Sequence, residues 1–143
     1  MLFIPGWRRK RHLFLVLLAA CSVAIHANDL DTGMRAYHDG RLEAAAGYWR
    51  ALAESGNSDA QVLMGYLYKT GRGVEADRQQ SARWYRMAAE QGDPNAQYEL
   101  GLLYELGSGV AADYDEAEYW YGRAIEQGYC PGELRASGLL VDD

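Results

Sequence analysis

The side chains able to do covalent or acid–base chemistry are few in this sequence, and their spacing defines no reaction centre. There are three histidines, His12, His26 and His38. Two of them fall in the first 27 residues, a stretch that reads as an export signal, so His38 alone remains after removal of that stretch. Ser-His-Asp, Cys-His and multi-histidine zinc arrangements are then short of either a base or a ligand set. Cys21 is removed or modified with the signal, which leaves Cys130 as a single thiol unable to form an internal disulfide. A free cysteine behaves as a small hydrophobe, and partial burial is expected for it. A glycosidase needs only two carboxylates across a cleft, which Glu99 and Glu105 could formally supply, but on a helix with many solvated acids nothing singles them out. The glycine pairs Gly71/Gly73 and Gly107/Gly109 match no GxxxxGK[ST] pattern and follow no strand, so they shape turns rather than cradle phosphates. The expectation is a protein without catalysis, metal or cofactor.

Glu99, Glu105 and the glycine pairs sit in one stretch written twice. Residues 54–89 and 90–125 match at an offset of 36: Gly56/Gly92, Ala60/Ala96, Gln61/Gln97, Gly65/Gly101, Tyr68/Tyr104, Gly73/Gly109, Asp77/Asp113, Trp84/Trp120 and Tyr85/Tyr121 are among the pairs. Self-similarity at this period is the mark of stacked repeats. A half-unit, 28–53, precedes them, with Tyr48 and Trp49 standing before Gly56 as Trp84 and Tyr85 stand before Gly92. A truncated unit, 126–143, follows.

From Asp31 onward the chain reads as helices of about ten to fifteen residues separated by glycines, with no period-two alternation. Leu30 to His38 is a first helix, and Arg41 to Glu54 carries Ala45, Tyr48, Trp49, Leu52 and Ala53 on one apolar face. In the first full unit Ser58 or Asp59 is the expected cap of a helix reaching about Lys69, and Asp77 opens the next helix. The second unit repeats this with Asp93-Pro94 and Asp113. About seven helices are predicted, and neither helix of a pair can bury its apolar face alone, so the units must stack. Gly65 and Gly101 in mid-helix each cost roughly 1 kcal/mol relative to alanine, which points to a close backbone approach at both. Hydrophobic residues make up 49% of the chain and there are only 3 prolines, a composition that argues for a folded domain over 28–143.

The N-terminus has the form of a secretory signal at 1–27: Arg8, Arg9, Lys10 and Arg11, then an apolar run from Leu13 to Ile25, then Ala27. The run is too short for a membrane span, which needs roughly 20 apolar residues. Two processing routes are compatible with it. Leu18-Ala19-Ala20-Cys21 resembles the bacterial lipoprotein box, whose cysteine is acylated, and Ser22 would then favour the outer membrane. The continuation of the apolar run past Cys21 favours ordinary cleavage after Ala27, and a periplasmic or secreted protein with no transmembrane span. Removal of residues 1–27 takes the net charge from −6 to −10, since ten basic residues then face 20 acidic ones. A domain so acidic, with Lys69 as its one lysine, is not expected to bind nucleic acid.

Ala60-x-x-x-Met64-Gly65-x-x-Tyr68, Gly71-x-Gly73-Val74, Asp77, Trp84-Tyr85, Ala88 and Glu90-Gln91-Gly92, repeated 36 residues later, look like the Sel1-like repeat. The likeness is full over 54–125 and partial over Arg41 to Ala53 and Glu126 to about Gly138; Ser81, Gly132 and Ser137 depart from its pattern. It implies an all-α, right-handed solenoid of stacked antiparallel helix pairs, related to tetratricopeptide arrays. It also implies a binding role: an adaptor for another protein or peptide, or an inhibitor or regulator of a cell-envelope enzyme.

With 11 tyrosines and 4 tryptophans, a carbohydrate site is conceivable, but most of these aromatics recur at the repeat period on apolar faces and read as core. The positions that the two units do not share are more informative. Val62, Leu63, Tyr66 and Lys69 in one unit, with Tyr98, Glu99, Leu102, Glu105 and Leu106 in the next, form a stripe on the first helix of each pair, away from Ala60, Met64 and Tyr68. By the family likeness the first helices line a concave face, and apolar side chains not needed for the core mark an interaction site there.

The two processing routes give opposite N-termini. Cleavage after Ala27 predicts a soluble chain beginning at an unmodified Asn28 and indifferent to Cys21→Ala; an acylated Cys21 start, read by intact mass, would establish the lipoprotein route.

Overall fold

The computed structural model describes residues 29–129. The export signal with Cys21, together with Cys130 and residues 131–143 of the last unit, lies outside the described residues. Within them the chain forms six helices, α1 (29–38), α2 (Leu42–Glu54), α3 (Ser58–Thr70), α4 (Arg78–Glu90), α5 (Pro94–Leu106) and α6 (Tyr114–Glu126), and no strand. Consecutive helices pack against one another along the array. The seventh helix expected from the sequence lies outside the described residues.

Local chemistry sets the helix ends. Asn57 and Asp93 accept from the backbone N–H of Ala60 and Ala96, so the cap of α3 is Asn57 and not Ser58 or Asp59. Asp77 and Asp113 each accept from two N–H groups of the helix they open. α3 and α5 end on Gly71 and Gly107 in the left-handed region, at φ 70° and 61°. The second glycine of each turn has an additional constraint. A Cβ on Gly73 would strike the carbonyl of Leu42, and one on Gly109 that of Arg78, so each turn is pressed against the start of the preceding unit's second helix.

Within a pair, the deciding contact is an aromatic ring laid across a glycine. An added Cβ on Gly65 would come within 2.9 Å of the Tyr85 ring, and one on Gly101 within 2.8 Å of the Tyr121 ring. The close approach read from the sequence is therefore made by a side chain of the second helix, not by its backbone. Ser81, buried beside Tyr85, donates from Oγ to the Gly65 carbonyl at 2.8 Å, which accounts for a serine there. The N-terminal stretch, read as a half-unit, holds a pair of the same design: Gly33 lies under Trp49, whose Nε1 donates to the Leu30 carbonyl at 3.3 Å. Its glycine and ring are 16 residues apart instead of 20, because the glycine turn between its helices is shortened.

Between pairs, two buried glutamines join the layers. Gln61 Nε2 donates to the Ala53 carbonyl at 3.1 Å while its Oε1 accepts from Gln91 at 2.7 Å. Gln97 does the same with Ala89 and Gln127, at 3.2 and 2.7 Å. Each adds a second bond to a carbonyl in the last turn of a helix that also accepts from a backbone N–H, that of Gly56 on Ala53 and that of Gly92 on Ala89. The core around them forms two clusters, one built on Trp49, Leu52, Met64 and Leu67, the other on Tyr85, Leu100 and Leu103. Trp84 of α4 packs on the first and Val62 of α3 on the second, so the two interlock.

Not every glycine should behave as Gly65 does. Gly47, also within a helix, has open space where a Cβ would go. Gly65→Leu and Gly101→Leu are expected to lose about 1–3 kcal/mol by overpacking, whereas Gly47→Ala should gain about 0.5–1 kcal/mol from helix propensity. Denaturant midpoints check both signs.

Candidate functional site

The first helices of the pairs, α1, α3 and α5, lie side by side, and their exposed flank carries the stripe. Lys69 of α3 reaches Glu99 of α5 in an ion pair of 2.7 Å. Tyr66 of α3 is 38% exposed, and Arg72 stands between it and Tyr37 of α1. Leu102 and the 66% exposed Leu106 join Lys69, Thr70 and Arg78 in lining a cleft of about 270 Å³. Glu105 accepts from the Tyr121 hydroxyl at 2.6 Å. The carboxylates of Glu99 and Glu105 are thus engaged with Lys69 and Tyr121, and no pair of acids facing each other across a cleft is formed by them. Among the described residues no cluster of three His, Cys, Asp or Glu side chains converges to hold a metal ion, and no helix is long and apolar enough to cross a membrane.

Three residues of the stripe are less free than their spacing suggests. Val62 and Leu63 are half-buried and pack on the second and first core clusters respectively, so both belong partly to the core. Tyr98 is half-buried, with ring centroids 5.2 Å from Tyr121 and 5.7 Å from Tyr129. Tyr66, Lys69, Glu105 and Leu106 are exposed, and Glu99 and Leu102 are half-buried.

Two residues of this face are absent from the sequence-derived stripe. Tyr37 lies outside the repeated stretch, and Arg72 sits in the turn Gly71-Arg72-Gly73. The Arg72 guanidinium stands 4.9 Å from the Tyr37 ring centre and reaches the Tyr66 hydroxyl at 3.5 Å, the long end for a hydrogen bond. A signal was available: the matching position of the next unit is Ser108, which is buried and bonded to Arg78, whereas Arg72 is exposed. The Arg72 hydrogen bond, followed by that from Tyr37, holds the Tyr66 phenol below its ordinary value, with Lys69 adding a smaller push in the same direction. Tyr37 is pushed the other way, by desolvation first and then by its bond to Tyr66. Tyr85, under the same face, is driven far upward by burial, with the charge of Glu99 adding to it.

The geometry meets known proteins at this point. The Sel1 repeat family model matches residues 58–93 and 94–129. The chain belongs to the Sel1 repeat family. A Sel1 repeat protein from Oxalobacter formigenes superposes with a TM-score of 0.67 at 38% identity, over 75% of this chain and 43% of its own. A protective antigen present in uropathogenic Escherichia coli strains, displaying an SLR fold, gives 0.70 at 33% identity, over 77% and 24%. This chain thus spans less than half the length of either. Helicobacter pylori cysteine rich protein B, at 18% identity and a TM-score of 0.60 over 80% and 94%, shares the fold. No curated protein matches the sequence. Sel1 repeats are in general protein-interaction scaffolds without catalysis of their own. The α1–α2 pair lies outside the matched Sel1 units, yet it repeats their aromatic-over-glycine packing.

Because Arg72 favours the tyrosinate, Tyr66 should be among the first tyrosines to ionise as pH rises, and Tyr85 among the last. NMR titration of the tyrosine ring carbons measures this order. Arg72→Gln should move the Tyr66 midpoint upward and leave that of Tyr85 in place.

Proposed function

We propose that this Sel1 repeat protein is an exported, non-catalytic adaptor that binds another protein or peptide on the face of α1, α3 and α5, the concave side of its solenoid. One observation carries the reading: Tyr66 and Leu106 stay exposed on the first helices, beside a cleft lined by Leu102, although neither is needed to close the core. Exposed aromatic and apolar groups of this kind are where interface energy concentrates. Export is supported by the basic head and apolar run of 1–27, and the description of the similar E. coli protein as a protective antigen is in keeping with it. An outer-membrane lipoprotein anchored at Cys21 is the other form that the exported chain could take.

Capture from a cell-envelope extract tests the assignment. The stripe variant is Tyr66→Ala with Leu106→Ala. Its control is Arg83→Ala with Glu90→Ala, both exposed on α4. Arg78 and Arg86 on that helix are unsuitable controls, because they bond Ser108 and Tyr104 across the units. The stripe variant should keep its melting curve and lose about 2 kcal/mol or more of binding at a hot spot, while the control binds as the wild type does. Loss in the control alone would move the binding face to the second helices. A captured hydrolase that loses activity on binding would make the protein a regulator of a cell-envelope enzyme; a structural assembly would make it an adaptor.

A further inference from the structure

Arg72 is the feature of this face that neither core packing nor the repeat pattern requires. The chain carries 20 acidic residues and a net charge of −6, yet among the described residues no carboxylate pairs with Arg72, whose contacts are the Tyr37 ring and the Tyr66 hydroxyl. Among the described basic side chains only Arg41 and Lys69 pair with an acid; Arg72 differs from the other unpaired arginines in standing against two tyrosines, one from each of two neighbouring helix pairs. The guanidinium is exposed and stands beside the two tyrosines with its charge unneutralised. A planar fork of donors so placed suits a carboxylate, because charge-assisted hydrogen bonds are stronger than neutral ones. One helical turn beyond Tyr66, Lys69 and Thr70 form a wall of the cleft lined by Leu102 and Leu106. An acid seated on Arg72 would therefore be followed, within about three residues of extended chain, by an apolar side chain in that cleft.

We propose that Tyr37, Tyr66 and Arg72 form a receptor for an Asp or Glu side chain of a bound peptide, whose neighbouring apolar residue enters the Leu102–Leu106 cleft. The inference rests on the first-helix face being the docking surface, and it adds the chemistry of the partner: an acidic, apolar segment recognised by an otherwise acidic protein. Electrostatic complementarity at this one point gives register and selectivity, since most of the chain's remaining charge would repel such a peptide.

The probe is a phage-displayed library of random dodecapeptides selected on the full chain, followed by affinity measurement on the synthetic winner. Selected sequences should be enriched in Asp or Glu with an apolar residue close by. Arg72→Gln should weaken the winner about tenfold or more, the effect of losing a charge-assisted pair. Arg83→Gln, which makes the same change in net charge on α4, should leave it unchanged. Replacing the peptide's acid by its amide should cost as much, and combining that change with Arg72→Gln should add little. Arg72→Lys, which keeps the charge but not the fork, should fall between, and it carries the test if melting shows that Arg72→Gln loosens the fold. Absence of selected peptides, absence of acids among them, or equal binding by Arg72→Gln overturns the proposal. Peptides without acids whose binding is nonetheless lost in the Tyr66→Ala, Leu106→Ala variant would overturn the acid receptor and leave the docking face standing.

Discussion

Each helix pair closes because a large ring on the second helix lies where a side chain on the first is missing. Gly33 under Trp49, Gly65 under Tyr85 and Gly101 under Tyr121 are the three occurrences. The glycine gives up helix stability of about 1 kcal/mol, and in return the ring sits flat against backbone, with Tyr85 almost fully buried. The ring covers the first helix only around its glycine, so the adjoining flank stays partly open, with Glu105 and Tyr98 reaching back to the Tyr121 ring. That flank is the surface on which Tyr66, Lys69, Leu102 and Leu106 appear.

Polar groups as well as the two apolar clusters join one pair to the next. Gln61 and Gln97 sit between layers and every buried polar atom on their side chains has a partner, so a slip in register is penalised by leaving buried amides unpaired. The glycine turns press on the preceding unit at Leu42 and Arg78 and give a second fixed point. With both in place, neighbouring first helices are held close enough for Lys69 to meet Glu99 and for Tyr37 to meet Tyr66.

The resulting face is mixed rather than uniformly acidic. Arg72 and the paired Lys69 lie toward the first units, and Glu105 with the Tyr98, Tyr121 and Tyr129 rings toward the last. Cations lie against aromatic groups at several points, Arg72 on Tyr37, Arg86 on Tyr104 and Arg123 on Tyr119, so the local potential departs from the negative net charge. The same repeat scaffold can thus acquire a different partner chemistry by altering single positions such as Arg72 and Ser108 while its core pattern stays the same.

Periodicity by itself determined the helices, the 36-residue unit, the aspartate caps at Asp77, Asp93 and Asp113, and the list of positions that the units do not share. These follow from local rules: capping, glycine at positive φ, and one apolar face per helix. The family likeness rested on the same residues. Three things needed the tertiary structure. The cap at Asn57 depended on which side chain reaches Ala60, and the sequence offers three polar candidates in a row. The half-buried state of Val62, Leu63 and Tyr98 depended on the neighbouring layer, because a single helix wheel cannot show what the next unit covers. The grouping of Tyr37, Tyr66 and Arg72 joins residues up to 35 positions apart in two helices and a turn, and only the stacking of one pair on another brings them together.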